Sequence, residues 1–330
     1  MRIRAAAIPL ACLLACAWAG AAEGSARDEE ATRLLTIRDP RISESSGLAA
    51  SRRHPGVLYT HNDSGGAPQI FAIGPDGRTL ATLTLAGAGA RDWEGMAIGK
   101  DEQGRPALFV ADIGDNHGGI WPHVTVYRIP EPSELRSQTL RATAFRFRYA
   151  DGPRNAETFM INPRTNRIYI ASKQLSGGLY EAPARLRTDG YNILRKVGRA
   201  PLLATDGAFA PDGRSLVIRT YSSARIYSFD ENAEEKIKPL RSIRLPRQEQ
   251  GESITYTPDG RALLAGSEGV AQPIWRVPLP ERVRPDPTPA PTESGRRESQ
   301  RREPDDRNVG VVLAVGIALA VGYGILRRRS

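Results

Sequence analysis

Apolar and polar residues alternate with period two along most of this chain, and turn residues cut the alternation into short strands. The pattern predicts strands at 47–50, 57–61, 69–73 and 79–85, the last two separated by Pro75-Asp76-Gly77. Further sets follow at 96–98, 107–112, 124–129 and 144–149, at 158–161, 167–172, 178–181 and 192–197, and at 207–210, 215–220, 225–229 and 240–245. The last set has only three strands, at 253–256, 262–266 and 273–277, while the strand at 32–37 precedes the first set and belongs to none. Placing 32–37 beside 273–277 completes the last set and joins the two ends of the body.

Each set opens on a related phrase. Ser46 begins S-G-L-A-A-S, Glu94 begins E-G-M-A-I-G, Glu157 begins E-T-F-M-I-N-P, Thr205 begins T-D-G-A-F-A-P-D-G and Glu252 begins E-S-I-T-Y-T-P-D-G. The openings lie 48, 63, 48 and 47 residues apart. A repeat of roughly 40 to 50 residues, with several short strands per unit, is the signature of a β-propeller. Asp212-Gly213 and Asp259-Gly260 fall between the first two strands of a set, where tight hairpins want residues that tolerate positive φ. The expectation is an all-β chain: a five-bladed β-propeller over 23–280, closed by its N-terminal strand. Six blades is the rival count, and it lacks a sixth opening phrase.

The two ends read as membrane signals. Arg2 and Arg4 precede an apolar run and the small residues around Ala19 to Ala22, so residues 1–22 read as a secretory signal peptide. Val309 to Leu326 is an apolar stretch of 18 residues followed by Arg327, Arg328 and Arg329. It predicts a single transmembrane helix over 309–326, with the basic 327–330 tail in the cytoplasm and the propeller outside, periplasmic or extracellular. Residues 281–308, rich in Pro and Arg, predict an extended disordered stalk. Both cysteines, Cys12 and Cys16, lie in the signal; cleavage beyond them leaves no thiol, whereas lipidation at Cys16 would make it the mature N-terminus.

Net charge is +9, of which the signal arginines carry +2 and the residues from Glu281 onward +3, leaving about +4 on the body. No basic-aromatic stripe accompanies that excess, so nucleic acid is not the indicated partner.

In a propeller the first residue of each innermost strand and the end of the next strand lie at one mouth. Ser46, Glu94, Glu157, Thr205 and Glu252 therefore form an inner ring. Around it stand Asp63, Asp112, Asp115, Asn116, Lys173, Arg219 and Glu268. Converging carboxylates need a cation or raised pKa values, and a flexible oxygen ring suits calcium, whereas zinc wants His or Cys. The bland alternative is that Lys173, Arg219 or Arg41 pairs the acids without metal.

The order Ser, Glu, Glu, Thr, Glu at the openings resembles the calcium ring of calcium-activated nucleotidases (apyrases), five-bladed propellers with Ser, Glu, Glu, Ser, Glu. The resemblance implies Ser46, Glu94, Glu157, Thr205 and Glu252 as calcium ligands, Thr205 keeping the hydroxyl. The chain as a whole is more similar to uncharacterised secreted bacterial β-propeller (WD40-like) proteins with D-W-E and D-I-G-D-N motifs, here Asp92-Trp93-Glu94 and residues 112–116.

Two classes of function follow. One is a membrane-anchored binding or scaffolding module that takes a small-molecule, glycan or protein ligand at its mouth, with calcium structural. The other is a calcium-dependent phosphohydrolase or phosphodiesterase. There Lys173 and Arg219 would stabilise developing negative charge, and Asp63 or Asp115 would take a proton from water. His117 and His123 make a poor metal pair, residues 112–116 read as an Asx-rich turn before a second calcium loop, and neither a G-x-S-x-G elbow nor a phosphate-binding Gly-rich loop is present.

Overall fold

The computed structural model describes residues 30–287, and among these the chain is all-β, with one 3-10 turn at Glu281–Val283. The predicted signal, most of the stalk and the membrane segment lie outside the described residues. Within them, no helix is long and apolar enough to cross a membrane.

Among the described residues, twenty-one strands build the fold. The first sheet runs β2 (Ser45–Ala50), β3 (Leu58–Asn62), β4 (Gln69–Ile73), β5 (Thr79–Ala86) and β9 (Gln138–Arg141). A second sheet contains β6 (Trp93–Lys100), β7 (Pro106–Asp112), β8 (Val124–Pro130) and β10 (Thr143–Tyr149). Through a parallel β10–β14 pairing it continues into β11 (Ala156–Ile161), β12 (Ile168–Ser172), β13 (Gly178–Glu181) and β14 (Tyr191–Arg199). The third comprises β15 (Asp206–Phe209), β16 (Ser215–Arg219), β17 (Ser223–Phe229) and β18 (Ile237–Arg244). The fourth holds β19 (Gly251–Tyr256), β20 (Ala262–Ser267), β21 (Pro273–Pro278) and, on its outer edge, β1 (Thr32–Thr36).

β1 pairs antiparallel with β21, with Thr32 opposite Arg276 and Thr36 opposite Pro273, as the orphan N-terminal strand predicted. The innermost strands meet in cyclic order: β2 on β6, β6 on β11, β11 on β15, β15 on β19, and β19 back on β2. A ring of largely antiparallel sheets whose last inner strand packs back on the first is a β-propeller, which closes its edges by repetition.

Packing explains the apolar patterning. Alternate residues of one strand serve different cores: Phe109 and Ala111 of β7 pack towards β11 and β12, whereas Leu108 and Val110 pack towards β3 and β5. Likewise Ile168 and Ile170 of β12 face one way, and Tyr169 and Ala171 the other. Second strands thus read as continuous apolar runs because both faces are buried between neighbouring sheets. Among the described residues, five apolar clusters fill the spaces between successive units around the ring.

Two details differ from the sequence expectation. β9 is an additional strand, half-exposed and paired in parallel to β5, with no apolar alternation to announce it. The packed unit also continues beyond Pro280, since Val283 is buried in the cluster that covers β17, β19 and β20. At Gly77 (φ 81°) the turn needs glycine twice over, because a Cβ would stand 1.9 Å from the Thr36 carbonyl of the closing strand.

Candidate functional site

A local irregularity in the inner strands aims the ring residues. Register shifts fall between Ser45 and Leu48, Trp93 and Met96, Ala156 and Thr158, and Gly251 and Ile254. Ser46, Glu94, Glu157 and Glu252 each lie inside one of these bulges, which bend the strand and redirect its side chains. Thr205 immediately precedes β15. Glycine follows the first two ring residues because adjacent inner strands crowd there. A Cβ on Gly47 would lie 3.0 Å from the Glu94 carbonyl, and one on Gly95 only 2.8 Å from the Phe159 backbone nitrogen.

All five ring residues are buried. The Ser46 hydroxyl donates to Glu94 Oε2 at 3.4 Å, and Thr205 Oγ1 donates to the Glu252 carbonyl at 3.2 Å. Glu94 Oε1, Glu157 Oε2 and Glu252 Oε2 are buried without hydrogen-bond partners. Lys173 donates to Glu157 Oε1 in a short ion pair and to the Tyr221 hydroxyl at 2.6 Å. Burial works against the Lys173 charge, but Glu157 and the Tyr221 hydroxyl outweigh it and raise its pKa.

The carboxyl groups behave accordingly. Burial pushes Glu157 up to about 8 despite Lys173, and raises Glu94 well above its ordinary value, with the charges of Glu157, Asp63 and Asp92 adding to the shift. Asp63 rises to about 8 through burial and its neighbour Asp92. Glu252 rises for the same first reason, moderated by Lys173 and Arg219. Glu268 is pushed up to about 7 by burial and by Glu252.

Asp63 and Asp92 are half-buried beside Glu94, and one carboxylate oxygen from each of the three lies within 4.8 Å of the others. Among the described residues this is the one group of His, Cys, Asp and Glu side chains that converges closely enough to share an ion. Sequence reasoning misses Asp92 as a site residue, although D-W-E places its carboxylate two positions from that of Glu94. Its partner Asp63 lies in another repeat unit.

The remaining expected site residues are placed differently. Arg219 is completely buried, and its guanidinium donates to the carbonyls of Ser253 (2.8 Å), Gly266 (3.0 Å), Thr220 (3.2 Å) and Tyr221 (3.3 Å) and to Gln248 Oε1 (3.2 Å). Those bonds tie it to backbone instead of presenting it to a ligand. Asp115 is buried in its loop; its Oδ2 accepts from the Trp121 amide at 2.8 Å and its own amide donates to Asn155 Oδ1 at 2.7 Å. Lys173 belongs to the ring through Glu157, while Asp63 belongs to the neighbouring acidic group. His123 packs on Tyr191 at 5.6 Å between ring centroids, and His117 is exposed.

No family model matches the chain, and no curated protein matches it. Solved structures resemble it distantly. One is a gluconolactonase from Xanthomonas campestris, described as important in glucose secondary metabolic pathways, at 14% identity and a TM-score of 0.44, covering 76% of this chain and 89% of that one. Another, from Thermus thermophilus and provisionally named an oxidoreductase (glucose dehydrogenase), shows 13% identity and a TM-score of 0.42, covering 75% and 99%.

Proposed function

We propose that the chain is an exported five-bladed propeller, tethered by its C-terminal apolar segment, that serves as a binding or scaffolding module. It takes a small-molecule, glycan or protein ligand at the mouth with the help of a calcium ion. Five opening phrases and five inter-sheet cores in cyclic order support the blade count. The anchor rests on residues 309–326 and the arginines behind them.

One observation carries the calcium reading: buried carboxylate oxygens of Glu94, Glu157 and Glu252 at the mouth have no hydrogen-bond partner. Buried carboxylates are retained only when something offsets their charge. An all-oxygen donor set fits a hard cation, and calcium accepts irregular geometry with water completing its shell. Lys173 supplies one internal positive charge, which offsets part of the excess. The hydrolase reading is weaker because Arg219 is committed to backbone carbonyls, so the expected electrostatic clamp is incomplete.

Thermal unfolding of the metal-stripped, detergent-solubilised protein tests this, with magnesium as control. Calcium at a hundred times its dissociation constant adds about 2.7 kcal/mol, and Tm is expected to rise by roughly 5 to 10 °C. An unchanged Tm would remove the ion and leave a propeller whose acids are balanced by Lys173 and bound protons.

A further inference from the structure

We infer that the mouth holds its divalent cation off the central axis, between the carboxylates of Asp63, Asp92 and Glu94, with Gly114 forming the floor of the site. This deepens the calcium reading above and rests on it.

The three residues come from two repeat units. Asp63 directly follows β3, whereas Asp92 and Glu94 flank Trp93 at the start of β6. Their closest oxygens lie within 4.8 Å of one another. Calcium binds oxygen at about 2.3–2.6 Å, so two oxygens on one ion stand no more than about 5 Å apart. The spacing of the triad meets that limit.

A second observation is independent of the cluster's charge. Gly114, in D-I-G-D-N, is not among the glycines with positive φ, so its backbone conformation does not demand glycine. Space does. A Cβ there would stand 2.3 Å from Asp92 Oδ2 and 2.4 Å from Glu94 Oε1. Two carboxylate oxygens therefore converge where the opposing backbone has no side chain. Glu94 is 3% exposed, and its Oε1, aimed at this point, has no hydrogen-bond partner; neither does the buried Asp63 Oδ1. Trp93 fixes the geometry: it is buried, donates its indole N–H to the Gly89 carbonyl at 2.8 Å, and meets the His61 ring edge-on at 5.6 Å.

The nearest cations act on the triad only at a distance, Arg91 on Asp92 and Lys173 on Glu94, and their closest carboxylates are others. Lys173 pairs with Glu157, and Arg91 lies 3.6 Å from Asp112 and stacks on Trp121 at 4.5 Å. Among the described residues, no lysine or arginine forms an ion pair with Asp63, Asp92 or Glu94. On the axis, by contrast, Lys173 already serves Glu157. Asp63 and Asp92 are half-buried, so one side of the ion opens to solvent, where water or an oxygen of the ligand completes the shell. The D-W-E and D-I-G-D-N motifs are then two halves of one site: the first supplies ligands, the second the bare backbone that admits them.

Calorimetric titration of calcium into the metal-stripped full-length protein tests the assignment, comparing wild type with Asp92→Asn, Gly114→Ala and Glu252→Gln. Asp92→Asn and Gly114→Ala are each expected to weaken calcium at least tenfold, Gly114→Ala without removing any carboxylate. Glu252→Gln is expected to change the affinity less than threefold. Metal-free Asp92→Asn should melt at or above wild type, because it removes one of three mutually repelling acids while leaving the fold intact. If Glu252→Gln abolishes binding and the other two do not, the ion belongs to the axial ring: the inference falls and the calcium reading survives. Equal loss in all three variants also overturns the inference. Should wild type bind no calcium, both readings fall together.

Discussion

Glu157 shows how one buried carboxyl of an inner strand couples charge to stability. Its ordinary pKa is 4.5, and burial lifts it to about 8 in the folded protein, with Lys173 opposing the shift and Glu252 and Asp92 assisting it. Without metal, the folded state thus holds on Glu157 a proton that the unfolded chain releases, and below about pH 8 the Lys173 contact is a hydrogen bond to a neutral carboxyl that becomes an ion pair only above it. Stability is therefore complete below about pH 4.5 and declines as pH rises towards about 8, by at most about 1.4 kcal/mol per pH unit for each such proton. Glu268, raised to about 7 chiefly by burial, contributes with the same sign. Metal-free protein should melt at a lower temperature at pH 8.5 than at pH 5.5, and Glu157→Gln should flatten that slope. Melting curves across this range decide the point, since a Tm that climbs with pH would mean that the Lys173 ion pair dominates.

At the scale of elements, Arg219 joins the third sheet to the fourth. It ends β16, and its guanidinium donates to the carbonyls of Ser253 in β19 and Gly266 in β20. Asp206 does the same from β15, accepting from the Ile254 amide at 2.7 Å, beside the bulge that aims Glu252. Burial lowers the Arg219 pKa to about 10, and Asp206 and Glu252 oppose that shift only in part. Arg219→Ala should therefore cost about 3 kcal/mol in urea unfolding, because it strands carbonyls and two buried acids. A loss below about 0.5 kcal/mol would return Arg219 to the role of a ligand-facing residue.

The same elements show what was legible in advance. The second strands were readable because two-sided burial leaves an unbroken apolar run, as in Ala107 to Ala111. The innermost strands were readable because their opening phrase recurs. β9 was not, since its pairing with β5 depends on a strand some fifty residues away and its own side chains are half-exposed. Nor was the role of Arg219, because a cation at a strand end looks the same in sequence whether it faces a ligand or a neighbour's carbonyls. Asp92 stood in view within D-W-E, but its convergence with Asp63 exists only once two units are brought side by side.

For the whole molecule, closure decides stability, and the closing strand carries it. β1 supplies the outer edge beside β21, and Leu35 and Ile37 are buried with Leu48, Leu58, Phe71, Leu264 and Ile274 in the seam between the last unit and the first. A propeller whose seam opens exposes apolar faces on both sides, so a defect there should spread in both directions. Leu35→Asp places an uncompensated carboxylate in that seam and should destabilise the fold by about 3 kcal/mol or more. Amide exchange read by mass spectrometry should then show protection lost first in β1 and β21 and next in β2 and β3, while β12 and β16, across the ring, retain theirs longest. If exchange quickens in β1 alone, the strand only decorates the edge of β21, and the ring is held shut by the contact of β19 with β2.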